Sequence, residues 1–102
     1  MMNESRFMPL EEWEAERMQD PEFVAALAAR ELAYQVARLR ILRGLTQAQL
    51  ADLAGTKQSS IARLESGTAP PNLSFLSKVA AALGARVEVR LSPLDDTPPA
   101  RV

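Results

Sequence analysis

The chain contains no cysteine and no histidine, and aromatic residues fill only 5% of its 102 positions. Without cysteine there is neither a disulfide nor a thiolate metal site. Without histidine, a catalytic triad or zinc site would lack its usual base and ligand, so neither an enzyme nor a bound cofactor is expected. Glycine is also scarce, at four residues. No apolar run approaches the roughly 20 residues of a membrane span. The acidic N-terminal stretch also lacks the apolar centre of a signal peptide. A cytoplasmic chain with no membrane partner is expected.

What is present is unevenly charged. The formal net charge is −1, yet residues 1–33 hold eight acidic and three basic side chains, while residues 34–102 hold nine basic and five acidic ones. Such asymmetry suggests two partners of opposite preference. The basic part suits phosphates. The acidic part repels them and favours a cationic surface.

The most informative stretch is 46–67. Thr46 is placed to cap a helix, with Gln49 three residues on to complete a capping box. Leu50, Leu53 and Ala54 follow at helical spacing as the inward face, and Ala51 is small enough for a second helix to cross closely. Gly55 supplies the left-handed residue that ends a helix. A second helix starts at about Thr56 or Lys57, turns Ile61 and Leu64 inward, and turns Ser59 and Arg63 outward as an i, i+4 pair. Gln58 and Ser60 flank that outer face. Glutamine pairs bidentately with adenine, arginine with guanine, and serine with either, so the face suits base reading. Gln47 lies at the start of the first helix, where free N–H groups favour a phosphate. An ordinary helical hairpin with a solvated face would give the same bare pattern.

The wording of the segment separates these two readings. Gly44-Leu45-Thr46-Gln47, Leu50-Ala51, Gly55, Gln58-Ser59-Ser60-Ile61 and Leu64-Glu65-Ser66-Gly67 together resemble the Xre helix-turn-helix family of phage Cro-type repressors. The resemblance implies an all-α, lambda-repressor-like helix-turn-helix bundle that binds double-stranded operator DNA as a homodimer. It also implies that Gln47, Thr56, Lys57, Gln58, Ser59, Ser60 and Arg63 meet DNA. Some relatives have glutamine where this chain has Ser59 and Arg63, so the docking mode carries over and the operator sequence does not. Arg40 and Glu65 match an arginine–glutamate pair that ties the domain's first helix to the end of the recognition helix.

Around this centre the chain divides into four parts. Residues 1–33 form an acidic helical extension: a short amphipathic helix from Pro9 to about Met18, then a new start at Asp20-Pro21, a good N-cap followed by a good first-turn residue. From Pro21 the helical pattern runs to Arg43, about 23 residues or roughly 34 Å. Phe23, Leu27, Tyr34 and Ile41 line one stripe, and Leu32, Val36 and Leu39 a second sector. A helix apolar on more than one side needs more than one covering surface. For its N-terminal half the cover is either residues 9–18 or another polypeptide.

Residues 34–84 make the helix-turn-helix domain. Its last helix is capped by Asn72, runs from Leu73 to Leu83 with Leu73, Leu76, Val79, Ala80 and Leu83 inward, and stops at Gly84. In residues 85–91, Val87, Val89 and Leu91 alternate with charged side chains in a strand pattern. One strand cannot satisfy its own backbone, so it either pairs with the same strand of a second subunit or packs as an extended tail on the last helix. Residues 92–102, rich in proline, form a flexible tail.

The small size, the central helix-turn-helix and the acidic front resemble one branch of the Xre family, the HigA-like antitoxins of bacterial toxin–antitoxin pairs. By that resemblance the protein neutralises a basic RelE/HigB-type ribonuclease toxin by direct contact and represses its own operon at the nucleoid. Phe7, Trp13 and Phe23 are the candidate toxin anchors, because buried aromatics often dominate interface energy. The alternative is a stand-alone Xre regulator without a toxin.

Overall fold

The computed structural model describes residues 20–93, whose regular elements are four helices. The short helix expected over 9–18, Phe7, Trp13 and the tail from 94 onward lie outside the described residues. Helix α1 spans Pro21–Leu42, α2 Gln47–Ala54, α3 Gln58–Ser66 and α4 Leu73–Ala82. The chain is all-α over this range.

Local chemistry sets most of the boundaries. Asp20 accepts a hydrogen bond from the Glu22 backbone N–H at 2.9 Å, and Pro21 follows in the first helical position. At α2 the Gln49 N–H donates to Thr46 Oγ1 at 3.1 Å and the Thr46 N–H donates to Gln49 Oε1 at 2.8 Å. Both halves of the capping box are therefore made. Asn72 caps α4 by accepting from the Phe75 N–H at 2.7 Å.

The core is built from Val36 of α1, Leu50 and Ala51 of α2, Ile61 and Leu64 of α3, and Leu76 and Val79 of α4 with Leu83 at its end. Helix α3 packs on both α1 and α2, and α2 also packs on α4. The recognition-type hairpin is thus clamped between the long first helix and the last one. Leu32, Leu39, Leu45, Phe75 and Val87 pack around this centre while half-buried.

Two sequence expectations are corrected, and a question left open on α1 is decided. Leu53 is not in the core; it is 62% exposed. Leu50, Ala51 and Ala54 share an arc of about 100° on α2, and at roughly 100° per residue Leu53 falls well outside it. Leu73 is likewise exposed: it is the first residue of α4, the buried stripe begins one turn later at Leu76, and Phe75 packs on the core from the first turn instead. On α1 the stripe of Leu27, Tyr34 and Ile41 faces away from the bundle, and the buried line is Ala29, Ala33 and Val36. Small residues win there because α3 ends against them.

That close approach centres on Gly67, which ends α3 at φ +68°; a Cβ there would lie 3.3 Å from Ala33 Cβ and 3.4 Å from Arg30 Cα. Gly55 ends α2 at φ +69° with open space around it. Gly55→Ala is therefore expected to cost about 1 kcal/mol from backbone strain alone. Gly67→Ala should cost about 2 kcal/mol, since α1 and α3 must also part. Chemical denaturation compares the two; equal losses would mean that the α1–α3 approach contributes nothing.

Candidate nucleic-acid interface

Helices α2 and α3 are joined by Gly55-Thr56-Lys57. The Thr56 N–H returns to Ala51 O at 2.9 Å and the Gly55 N–H to Asp52 O at 3.2 Å, so the carbonyls ending α2 are satisfied within a tight turn. Lys57 is the N-cap of α3 and makes no side-chain cap, which leaves the first-turn N–H groups of α3 without a side-chain acceptor. Ile61 and Leu64 bury the inner face of α3. Lys57, Gln58, Ser59, Ala62 and Arg63 are exposed, with Thr56 and Ser60 half-buried at the edge. Among the described residues, the side chains of Lys57, Gln58, Ser59, Ser60 and Arg63 make no hydrogen bond or ion pair. Their donors and acceptors remain available to a ligand. Gathered on one rigid helix face, they make an outward surface of amide, hydroxyl, guanidinium and ammonium groups.

Behind this surface, one carboxylate joins three helices. Arg40 Nε donates to Glu65 Oε2 at 2.7 Å and Arg40 Nη2 to Glu65 Oε1 at 3.0 Å, a bidentate pair. Arg40 Nη1 also donates to Leu45 O at 2.9 Å, and Gln47 Nε2 donates to Glu65 Oε1 at 3.2 Å. The two charged side chains are 16% and 8% exposed, so the pair is largely shielded from water. Glu65 holds the Arg40 guanidinium above its usual pKa, first through the hydrogen bond; burial opposes this and the charge of Glu65 adds to it. Arg40 stays a cation throughout the ordinary pH range.

The sequence reading placed Gln47 toward a phosphate and Arg40–Glu65 in a separate pair; the structure brings all three into one cluster. It also reveals a groove of about 250 Å³ beside Arg63, lined by Ser60, Leu64, Pro70, Pro71, Asn72 and Phe75. Only the proline pair after Gly67 hinted at it. A further unforeseen contact is Arg43 Nε to Leu83 O at 3.0 Å, which ties the end of α1 to the end of α4. Its signal was a basic residue in reach of a helix C-terminus, where cations are favoured.

The other expected site residues lie apart from this face. Phe23 is half-buried in the first turns of α1. Val87 packs against the core, whereas Val89 and Leu91 are 69% and 95% exposed. Within the single chain, the described residues after α4 form neither helix nor strand. Among the described residues there is no group of acidic side chains able to hold a metal, and no helix is long and apolar enough to cross a membrane.

Comparison with known proteins places this geometry. The chain is similar in structure to a toxin–antitoxin module from Streptococcus pneumoniae, with 27% identity and a TM-score of 0.63 over 91% of this chain and 100% of the other. It is also similar to an HTH_3 family transcriptional regulator from Vibrio cholerae, with 30% identity and a TM-score of 0.57 over 59% of this chain. The chain spans about a third of that regulator's length, at 34%. The comparison with curated proteins finds no match. The family model for the HTH_3 helix-turn-helix matches residues 36–89, more than half of the chain. That match covers the capping box, the glycine turn and the polar face of α3, and the chain belongs to the HTH_3, or Xre-type, family of helix-turn-helix DNA-binding domains.

Proposed function

We propose that the protein is the antitoxin of a toxin–antitoxin pair, which binds its toxin directly and represses its own operon by binding operator DNA as a homodimer. The observation that carries this reading is the likeness to the Streptococcus pneumoniae toxin–antitoxin module, which extends over that chain's whole length and beyond the helix-turn-helix into this chain's flanking parts. The charge division supports it, since a basic ribonuclease toxin of the RelE/HigB type suits the acidic residues 1–33. Phe7, Trp13 and Phe23 are the proposed anchors within that part. The protein itself performs no catalysis and acts in the cytoplasm.

On DNA, α3 enters the major groove with Gln58, Ser59 and Arg63 toward the base edges. Thr56, Lys57, Ser60 and Gln47 meet phosphates around it and set the register. Residues 86–91 of two subunits pair through Val87, Val89 and Leu91, and the dimer reads two half-sites about 34–36 Å apart. Val89→Pro removes a ladder N–H and should lower the dimer fraction in sedimentation while leaving the monomer folded. A variant that stays fully dimeric would move the interface to the helices.

Arg63→Ala is expected to weaken operator binding by about 1–3 kcal/mol and to relax preference at one base pair. An unchanged base preference in a binding-site selection would reject the base-reading role.

The function as a whole is tested by co-expression with the neighbouring reading frame, then co-purification and a salt titration of promoter binding. A co-purifying basic partner, with DNA affinity that falls steeply with salt, is expected. The second reading is a stand-alone regulator, favoured by the likeness to the Vibrio cholerae transcriptional regulator. Promoter binding with no partner protein would select it.

A further inference from the structure

The Glu65 carboxylate does more than neutralise Arg40. Its Oε1 takes two donors, Arg40 Nη2 at 3.0 Å and Gln47 Nε2 at 3.2 Å. Gln47 is the first residue of α2, directly after the N-cap Thr46 and within the capping box that Thr46 forms with Gln49. The Gln49 N–H is already taken by Thr46 Oγ1, and the two backbone N–H groups before it precede the first intrahelical bond. An amide NH₂ carries two hydrogens. With one hydrogen held by Glu65, the other has its direction set. The opposite flip would turn the amide oxygen toward a carboxylate oxygen, which is repulsive.

We infer that Glu65 is a positioning residue for DNA binding: it orients the Gln47 amide so that its second N–H, together with the first-turn N–H groups of α2, meets a DNA phosphate. Glu65 itself touches no DNA. It sits at the far end of α3, is only 8% exposed and is fixed by Nε and Nη2 of Arg40. Arg40 Nη1 in turn holds Leu45 O, one residue before the cap that starts α2. The start of α2 and the end of the recognition helix are thereby indexed to one carboxylate. An amide held in advance does not lose rotamer freedom when the phosphate arrives, which is where preorganisation raises affinity. The inference rests on the DNA-binding reading of this face.

The test is a double-mutant cycle on affinity for the duplex immediately upstream of the protein's own reading frame, using the full chain. Gln47→Ala should weaken binding about 3- to 10-fold in the wild-type background. In the Glu65→Gln background, where a single amide oxygen remains and Arg40 competes with Gln47 for it, the same change should weaken it less than about 2-fold. The salt slope should be unchanged by Gln47→Ala, because a neutral amide releases no counterion. Equal losses in both backgrounds, or no loss in the wild type, would overturn the inference.

A second measurement needs no variant and no DNA. In the free wild-type protein, the Gln47 side-chain NH₂ should show one hydrogen-bonded proton and restricted fast motion by NMR relaxation. A freely rotating side-chain amide would overturn the positioning role even if Glu65→Gln fails to fold. Should the wild type bind no duplex, the DNA-binding reading falls first, and the NMR result still decides the Glu65–Gln47 link.

Discussion

Replacing Leu50 with alanine is expected to destabilise the protein by about 2–5 kcal/mol. Leu50 is 0% exposed and lies where α2 meets both α3 and α4, with Ile61, Val79 and Leu83 among the other most deeply buried side chains. Removing its branched end leaves a hole that helices held by short connections close only in part. A small domain has about 5–15 kcal/mol in total, so the loss is a large share of it. The melting temperature should fall by roughly 4–8 °C per kcal/mol lost. DNA binding should disappear with the fold, since α2 and α3 share that core. Leu53→Ala, three residues away and 62% exposed, is the matched control and should change stability by less than about 0.5 kcal/mol. Similar melting curves for the two variants would contradict the assigned core.

The second large effect is expected at the ion pair. Arg40→Ala leaves Glu65 shielded from water with Gln47 as its remaining donor, and frees Leu45 O. Breaking a buried pair from one side costs about 3–5 kcal/mol, and the lower end applies because Arg40 keeps some contact with water. Removing both partners behaves differently. Arg40→Met with Glu65→Leu eliminates the stranded charge, and the double variant should recover most of the lost stability. Such recovery would show that the two charges hold the register of α1 against α3 more than they add net stability. A double-mutant cycle in denaturant measures the coupling. Additive losses would show that the two side chains act independently despite their 2.7 Å contact.

Much of the backbone plan was readable in local chemistry. Asp20-Pro21, Thr46 with Gln49, and Asn72 announced three helix starts, and Gly55 and Gly84 two of the stops, because caps and left-handed turns act over only a few residues. The outer face of α3 was equally legible: Ile61 and Leu64 fix which way Ser59 and Arg63 point. Periodicity failed where two apolar faces compete. On α1 the sequence showed two apolar sectors, one with Leu27, Tyr34 and Ile41 and one with Leu32, Val36 and Leu39, without deciding which faces the bundle. The bundle buries Ala29 and Ala33, because Gly67 approaches so closely that a Cβ on it would lie 3.3 Å from Ala33 Cβ. Leu53 failed for a related reason, as an eight-residue helix has room for only a narrow buried arc.

The sequence by itself therefore determined the approximate limits of the four described helices, the family, and the polar outer face of α3. Each depends on neighbours within a turn or two or on a local motif. Only the tertiary structure decided which side of α1 faces the core and that Glu65 serves Arg40 and Gln47 together. Gln47 and Glu65 are 18 positions apart, and no local rule relates them. Their contact exists because α2 and α3 pack on each other around a shared core that includes Ala51, bringing the start of one helix to the end of the other.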